Sequence, residues 1–313
     1  MTQWNVLIAD RLAEEGQAIL RAAARVDDRS GLSPEELLAV IPQYDALIVR
    51  SRTKVTAQVI RAATRLKVIG RAGVGVDNID LEAARAHNVT VVNAPTAASI
   101  AVAELTFGLL LALAREIPRA DAGMKAGRWM KKELKGRELH GKTLGLLGLG
   151  RIGAEVARRA HAFGMTVLAY DPFLPEEVIR ERGADPADLE TLYARADFIS
   201  LHLPLTEETR GLIDAQALAR MKDGVYLVCA ARGGIIDEPA LLDALNGGKV
   251  AGAALDVFAQ EPPGASDLVR HPRVIATPHI GAQTAEAQAR AARDIAEEVL
   301  AALRGEALRW RVV

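Results

Sequence analysis

Cysteine is nearly absent from this sequence, since Cys229 is the single thiol among 313 residues. One cysteine cannot form an internal disulfide, and no cluster of cysteine and histidine has the spacing of zinc ligands. We therefore expect no metal site. A chain without disulfides is typical of a reducing compartment, which favours the cytoplasm.

An excess of either charge is also missing, because 39 basic residues face 40 acidic ones and leave a formal net charge of −1. A balanced surface offers little attraction to polyanions. We therefore expect no nucleic-acid partner and no binding to acidic membrane surfaces.

Long apolar runs are lacking as well. The most apolar stretch, residues 105–114, is shorter than the roughly 20 residues of a bilayer span. The N-terminus MTQWNVLIAD does not have the basic start and apolar run of a secretory signal, so we expect none. There is no repeat, low-complexity tract or flexible linker. At roughly 150 residues per domain, the length predicts two domains joined by helices.

Short β-branched runs alternate with helical patterns along most of the chain, which is typical of parallel strands joined by crossover helices. We predict strands at 5–9, 46–49, 66–69, 89–92, 143–147, 166–170, 198–201, 225–228, 251–255 and 274–276. The block from residue 143 onward predicts a complete doubly wound sheet of the Rossmann type. We expect an α/β protein with this sheet and a smaller flavodoxin-like α/β domain.

Three longer helices are predicted at 99–114, 152–163 and 283–303. The first is apolar nearly all round, which predicts burial between domains or subunits, with a partner for its acidic residue Glu104. No strand follows the last helix, so we expect it to pack on the first domain and make that domain discontinuous. The predicted domains are 1–97 with 284–313 for substrate, and 98–283 for a dinucleotide.

Two glycine motifs suggest phosphate binding. Residues 136–143, GRELHGKT, match the G-x-x-x-x-G-K-[ST] pattern of nucleoside triphosphatases. A working loop of that kind leaves an apolar strand and opens a helix. Here charged residues come before the motif and a predicted strand follows it, so we reject this interpretation.

The second motif, GLGRIG at 148–153, follows a predicted strand and opens a predicted helix. Gly148 would allow the tight turn, Gly150 the approach of a pyrophosphate, and Gly153 close packing of helix on strand. Asp171 ends the next strand, where its carboxylate would accept hydrogen bonds from a ribose and repel a 2′-phosphate. The motif therefore predicts NAD in preference to NADP.

Polar side chains that suit hydride transfer to a carbonyl follow later strands of the same sheet. His279 could carry the proton, Glu261 could orient that imidazole, and Arg232 could bind a carboxylate with two hydrogen bonds. His202 follows a strand too, where it could contact the cofactor or only support the site. Any one of these residues alone would be an ordinary loop side chain, but together they indicate an active site.

Several long motifs, in order, resemble the NAD-dependent D-2-hydroxyacid dehydrogenases: GLLGLGRIG followed by YDP, CAARGGIIDE, AALDVFAQEPP and TPHIGAQT. VRSRTKVT, GRAGVGVDNIDLEAA and AELTFGLLLALAR are similar to the branch of that family that oxidises D-3-phosphoglycerate. The resemblance covers practically the whole chain. It implies NAD as the cofactor, a phosphorylated 2-hydroxyacid as the substrate, and a homodimer or homotetramer.

The resemblance also implies roles for single residues. His279 would donate and accept the proton, Glu261 would be its partner, and Arg232 would bind the carboxylate and carbonyl of the substrate. The cofactor site would include, besides the three glycines, Arg151, Ile152, Asp171, His202, Leu203, Pro204, Ala230, Ala231, Arg232, Asp256, His279, Ile280, Gly281 and Ala282. The substrate site would include Gly73, Val74 and Gly75 for the carboxylate, and Arg50, Ser51 and Arg71 toward the phosphate.

The sequence departs from the family at four positions: Ala98 and Cys229 stand where Asn is usual, and Val74 and Leu203 where Thr is common. These departures leave the exact hydroxyacid open, and a glyoxylate or hydroxypyruvate reductase is the nearest alternative. A formate dehydrogenase is less favoured because that branch carries Gln in place of Glu261. A non-enzymatic NAD-sensing protein of the corepressor type is the alternative from another class. The sequence ends at Val313, so we expect no serine-binding domain after it and no inhibition by serine.

Overall fold

The computed structural model describes residues 4–313. The chain divides into two compact units. Unit 1 consists of the residues up to Ser99 together with Ala282–Val313, and unit 2 is Ile100–Gly281. Each unit has its own parallel sheet and its own apolar core.

Unit 1 contains a five-stranded sheet of β1 (Asn5–Ile8), β2 (Arg25–Asp28), β3 (Ala46–Val49), β4 (Val68–Arg71) and β5 (Thr90–Asn93). The order is β2-β1-β3-β4-β5, and neighbouring strands run parallel. Its helices are α1 (Glu14–Arg21), α2 (Pro34–Val40), α3 (Ala57–Ala62), α4 (Leu81–Ala86) and, in chain order, α13 (Ala285–Arg304). This strand order is the flavodoxin-like one, which confirms the predicted fold of the smaller domain.

Unit 2 contains a seven-stranded parallel sheet of β6 (Thr143–Leu147), β7 (Thr166–Tyr170), β8 (Asp185–Pro186), β9 (Phe198–Leu201), β10 (Val225–Cys229), β11 (Val250–Leu255) and β12 (Val274–Ala276). Its helices are α5 (Ser99–Ala114), α6 (Ile117–Lys125), α7 (Arg151–Ala162), α8 (Glu176–Glu181), α9 (Leu189–Arg195), α10 (Ala215–Arg220), α11 (Glu238–Asn246) and α12 (Asp267–Arg270). The order β12-β11-β10-β9-β6-β7-β8 reverses between β6 and β9. That is the predicted Rossmann arrangement, with one added strand.

Two strands, β2 and β8, were not predicted from the sequence. β2 reads RVDD, a polar strand on the sheet edge, and β8 is only two residues long. Neither has the β-branched run that predicts a strand, because their pairing depends on the neighbouring strand. β4 and β5 also lie one or two residues later than predicted.

Helix α5 has the predicted bounds, and Glu104 has the partner that was expected for it. The Glu104 side chain is 62% exposed and pairs with Arg159 of α7, with 3.3 Å between Oε1 and Nη2. Ala103, Phe107 and Leu110 of α5 pack in the core of unit 2. One exposed line therefore remains on a helix whose composition is apolar nearly all round.

Helix α13 holds the C-terminal segment in place through a buried carboxylate. Glu298 is 2% exposed, and its Oε1 accepts a hydrogen bond from Arg309 Nε at 2.8 Å. Its Oε2 accepts from the backbone N–H groups of Arg309 and Trp310, at 3.0 and 3.1 Å. The residues that follow pair with β5, through an antiparallel bridge between Val92 and Arg311.

Glu298→Ala should therefore destabilise unit 1 by about 2 to 4 kcal/mol, because two backbone N–H groups and a guanidinium lose their acceptor. Glu297 provides a matched control, since it pairs with the same Arg309 but is 53% exposed. Glu297→Ala should cost less than about 1 kcal/mol, as exposed ion pairs do. Urea denaturation of the three proteins measures both values, and equal losses would contradict the role given to Glu298.

Within residues 4–313, no helix has both the length and the apolar content needed to cross a membrane. In the same range, no group of three or more His, Cys, Asp and Glu side chains is placed to hold a metal ion.

Candidate active site

The predicted site residues of unit 2 lie where its parallel strands end. The glycine motif follows β6, Asp171 follows β7, and His202 follows β9. Ala230 to Arg232 come after β10, Asp256 after β11, and His279 after β12. Because the carboxyl ends of parallel strands share one edge of a sheet, these site residues lie along that edge. The point where the strand order reverses, between β6 and β9, lies on the same edge.

Gly148 has the backbone conformation, and Gly150 and Gly153 have the surroundings, that their predicted roles require. Gly148 has a φ of +89°, in the left-handed region that favours glycine. A Cβ at Gly153 would lie 2.3 Å from the carbonyl oxygen of Gly148, so only glycine lets α7 approach the turn. A Cβ at Gly150 would meet nothing within 4 Å, which leaves open space on that side of the turn.

Leu149, between the first two glycines, is held by two side chains of opposite charge. Its N–H donates to Asp171 Oδ2 at 2.9 Å, and its carbonyl accepts from Arg182 Nη1 at 2.6 Å. The other carboxylate oxygen of Asp171 accepts from the N–H of Phe173 at 3.1 Å. Asp171 is thus fixed beside the glycine turn, at the position where an acidic residue was predicted to bind a ribose.

His202 lies against the same turn, because a Cβ at Gly148 would be 2.7 Å from the His202 carbonyl oxygen. Its Nε2 is 2.9 Å from Ser200 Oγ, while the buried Nδ1 has no hydrogen-bond partner within the described residues. Burial lowers the pKa of His202 to about 4, so the ring is neutral near pH 7.

The lowered pKa of His202 predicts a loss of stability in mild acid. Between its ordinary value of 6.5 and the folded value of about 4, the unfolded chain binds a proton that the folded chain does not. The free energy of unfolding should therefore fall as the pH drops from 6.5 to 4, by on the order of 3 kcal/mol in all.

Urea denaturation of wild type and His202→Gln across this pH range measures the effect. The variant should lose that part of the pH dependence. At pH 8, above both pKa values, the imidazole is neutral in the folded and the unfolded chain. A difference in stability between the two proteins at that pH therefore reports packing alone and serves as the control. The same pH slope in both proteins would contradict the assignment.

The ends of β10, β11 and β12 are joined by backbone hydrogen bonds. Asp256 N–H donates to the Cys229 carbonyl at 2.9 Å, and His279 N–H donates to the Asp256 carbonyl at 2.8 Å. The Asp256 side chain is fully buried. Its Oδ1 accepts from Thr277 Oγ1 at 2.6 Å and Ile280 N–H at 2.8 Å, and its Oδ2 accepts from Gly281 N–H at 2.8 Å. Asp256, predicted to line the cofactor site, therefore shapes the turn that carries His279.

The structure brings His279 and Glu261 into direct contact. Nδ1 of His279 is 2.8 Å from Oε2 of Glu261, while Oε1 of that glutamate accepts from Phe258 N–H at 3.1 Å. His279 has a φ of +53°, in the left-handed region, where the hydrogen bonds around Asp256 hold it. Because Nδ1 is occupied, Nε2 is the ring nitrogen left to exchange a proton with another molecule.

Arg232 lies after β10, in a recess that it lines with Gly233, Leu255 and Val257, among others. Its Nη1 donates to the Ala231 carbonyl at 2.8 Å. Burial raises the pKa of the neighbouring Cys229 thiol to about 11, so the thiol stays protonated near neutral pH and is not a nucleophile. Cys229 Sγ contacts the Arg232 carbonyl oxygen at 3.7 Å.

In unit 1, a buried aspartate holds the loop that carries Arg50 and Ser51. Asp10 Oδ2 accepts from Arg50 N–H at 2.7 Å, and Asp10 Oδ1 accepts from Thr53 Oγ1 at 2.8 Å. Asn78 Nδ2 donates to the Arg50 carbonyl at 2.8 Å. The Arg50 guanidinium lies 3.4 Å from Oε1 of Gln283.

Arg71 is the last residue of β4, and a turn with Gly73, Val74 and Gly75 follows it. Arg71 Nη1 donates to the Ala72 carbonyl at 3.3 Å, and this guanidinium fills the space where a Cβ of Gly73 would be. Gly73 has a φ of +149°. The residues predicted for the substrate thus lie on two strand ends of unit 1, at β3 and β4.

Sequence reasoning missed Asp10, Arg182 and the structural role of Asp256. Asp10 could have been found, because it directly follows the strand predicted at 5–9, just as Asp171 follows the strand predicted at 166–170. Arg182 carries no such signal, since it is 33 residues from the carbonyl that it contacts.

Comparison with known proteins identifies the family. The family model described as "D-isomer specific 2-hydroxyacid dehydrogenase, NAD binding domain" matches residues 107–281. A D-3-phosphoglycerate dehydrogenase of Methanocaldococcus jannaschii is 53% identical over 303 residues, which are 96% of this chain and 58% of that protein. The chain spans about half the length of the curated relatives it matches.

Solved structures match over whole chains. A glyoxylate reductase from Paecilomyes thermophila is 34% identical, with a TM-score of 0.90 over 100% of this chain and 99% of that one. A D-lactate dehydrogenase from Aquifex aeolicus, complexed with NAD and lactic acid, is 31% identical, with a TM-score of 0.83 over 96% of both chains. The chain therefore belongs to the D-isomer specific 2-hydroxyacid dehydrogenase family, and residues 107–281 are its NAD-binding domain.

Proposed function

We propose that this protein oxidises D-3-phosphoglycerate to 3-phosphohydroxypyruvate with NAD, the first step of serine biosynthesis. The observation that carries the proposal is the 53% identity to a D-3-phosphoglycerate dehydrogenase over 96% of the chain. The contact between His279 and Glu261 supports the chemistry. In this assignment, residues 98–283 bind NAD and residues 1–97 with 284–313 bind the substrate.

Each catalytic residue has a defined part in the reaction. NAD, when bound, accepts the hydride that leaves C2 of the hydroxyacid. His279 Nε2 takes the hydroxyl proton as the C2 oxygen becomes a carbonyl, and Glu261 holds the imidazole at the proper angle. Arg232 binds the carboxylate and the C2 oxygen, for which a planar guanidinium is well suited.

The rest of the binding site follows from the strand ends. The pyrophosphate would bind at the open side of the turn at Gly150. The first N–H groups of α7, beside Arg151 and Ile152, would donate hydrogen bonds to it. Asp171 would bind the adenosine ribose. The Gly73 to Gly75 turn offers N–H groups to the substrate carboxylate, and Arg50 and Arg71, with Ser51, offer charge and hydrogen bonds to the phosphate.

Steady-state production of NADH tests the proposal. D-3-phosphoglycerate should be oxidised with a kcat/KM well above those for D-glycerate and D-lactate, which lack the phosphate. Equal activity with the three acids would overturn the proposed substrate. Tight NAD binding without turnover of any 2-hydroxyacid would instead favour the NAD-sensing function.

A glyoxylate or hydroxypyruvate reductase is the second candidate. Two observations favour it: the 34% identity to a glyoxylate reductase over the whole chain, and Ala98 at a position where the family often has Asn. Reduction of glyoxylate and hydroxypyruvate with NADH, measured beside 3-phosphohydroxypyruvate, distinguishes the two candidates.

We also propose that the protein is a cytoplasmic homodimer or homotetramer. Ile100, Ile117 and Met124 are large apolar side chains that are exposed near α5 and α6 of a single chain. A two-fold contact would bury them. Sedimentation equilibrium measures the oligomeric state.

Asp171→Asn should lower the preference for NAD over NADP by about tenfold or more, because the amide no longer repels a 2′-phosphate. The amide oxygen can still accept one of the two backbone hydrogen bonds that Asp171 accepts. The ratio of kcat/KM for the two cofactors is the measurement, and Asp185→Asn on β8 controls for loss of an exposed charge nearby. An unchanged ratio would refute the ribose assignment.

A further inference from the structure

Arg182 follows α8 and reaches the glycine turn over a distance of 33 residues in sequence. The hydrogen bond from its Nη1 to the Leu149 carbonyl is 2.6 Å long, which is short and charge-assisted. Arg182 is half-buried, whereas Leu149 is fully buried. A long basic side chain is thus used to hold a single backbone carbonyl of the cofactor turn.

The carbonyl of Leu149 and the N–H of Gly150 belong to one peptide unit. In a planar trans peptide the two groups point in opposite directions. A side chain that fixes the direction of the Leu149 carbonyl therefore also fixes the direction of the Gly150 N–H. A cation on the carbonyl polarises the peptide and makes that N–H a stronger donor.

The Gly150 N–H is free for a ligand on two grounds. Gly150 is the N-cap of α7, so its own carbonyl accepts the first helical hydrogen bond, from Ala154 N–H at 3.0 Å, while its N–H precedes the helix. A Cβ at Gly150 would meet nothing within 4 Å, so the space beside its Cα is open. Asp171 fixes the preceding peptide unit through Leu149 N–H, and Leu149 is thus held at both ends.

We propose that Arg182 is a positioning residue for the pyrophosphate of NAD, acting through the Leu149–Gly150 peptide. It sets the affinity for the dinucleotide without contacting the reacting atoms. The inference rests on NAD as the cofactor but not on the identity of the 2-hydroxyacid.

Direct binding without any hydroxyacid tests the proposal, with NADH, ADP-ribose and adenosine as the probes. Arg182→Met keeps the length of the side chain and removes its donors. It should raise the Kd for NADH and ADP-ribose by roughly tenfold, the size of one charge-assisted hydrogen bond. The Kd for adenosine, which has no pyrophosphate, should stay the same. In turnover, KM for NAD should rise while kcat stays within about a factor of two.

Two further variants complete the experiment. Arg182→Lys keeps one cationic donor and should restore part of the affinity, which also keeps the test valid if Arg182→Met does not fold. Arg180→Met, two residues earlier on α8, removes an arginine that is 55% exposed and paired with Glu176, and should bind like wild type. Equal weakening of adenosine and ADP-ribose, or unchanged affinity for NADH in Arg182→Met, would overturn the proposal. Failure to oxidise D-3-phosphoglycerate would bear only on the proposed function.

Discussion

His279→Asn should lower kcat by about two to four orders of magnitude, the usual effect of losing a general acid–base. Asparagine tolerates the left-handed backbone better than most residues, so the turn at φ +53° should persist. The amide has no group that takes up and releases a proton near neutral pH. Turnover should therefore fail while binding of NADH is retained.

The experiment combines steady-state kinetics with NADH titration. His271→Asn is a matched control, because His271 lies before β12 and His279 lies after it, so the two imidazoles flank the same strand. The control should keep kcat within about a factor of two. If His279→Asn keeps near-normal turnover, His279 is not the proton carrier.

Asp256→Asn should reduce both activity and stability, although it changes only one atom of a buried side chain. The carboxylate accepts hydrogen bonds from Thr277, Ile280 and Gly281. In an amide, one carboxylate oxygen is replaced by an NH2 group, which donates hydrogen bonds and does not accept them. At least one of the three groups that donate to Asp256 would therefore lose its acceptor. We expect a loss of about 2 to 4 kcal/mol in the free energy of unfolding.

The same change should displace His279 and lower kcat by roughly tenfold to a hundredfold, because a small misplacement of a catalytic group is costly. Urea denaturation and initial rates measure the two effects. Asp223→Asn is the control, since that carboxylate is 91% exposed and should change stability by less than about 0.5 kcal/mol. Wild-type kcat in Asp256→Asn would show that the turn does not need the carboxylate.

The fold could largely be predicted from local pattern. β3, β9 and β12 have the predicted bounds because each is a short apolar run between turn residues. β2 and β8 could not be predicted, since a polar edge strand and a two-residue strand are defined by their partners. A partner for Glu104 was expected, but its identity as Arg159 of α7, 55 residues away, depends on how the two helices pack.

The candidate site, like the fold, could be predicted only in part from the sequence. Strand ends and residue types were enough to select His279, Glu261 and Asp171. The contact of 2.8 Å between His279 and Glu261 spans 18 residues and could only be suggested. Asp256 was predicted to line the cofactor site, but the direction of its side chain into the turn beneath His279 depends on how β11 and β12 pair.

The sequence by itself determined the periodicity of strands and helices, the glycine turn and the chemical groups at the strand ends. These features depend on neighbouring residues, whose spacing the covalent chain sets. Only the tertiary structure decided that Arg182 holds the Leu149 carbonyl, that Asp256 holds the His279 turn, and that Glu298 holds the C-terminal segment. Such hydrogen bonds join groups that are distant in sequence. They form only where the packed fold places donor and acceptor at the right distance and angle.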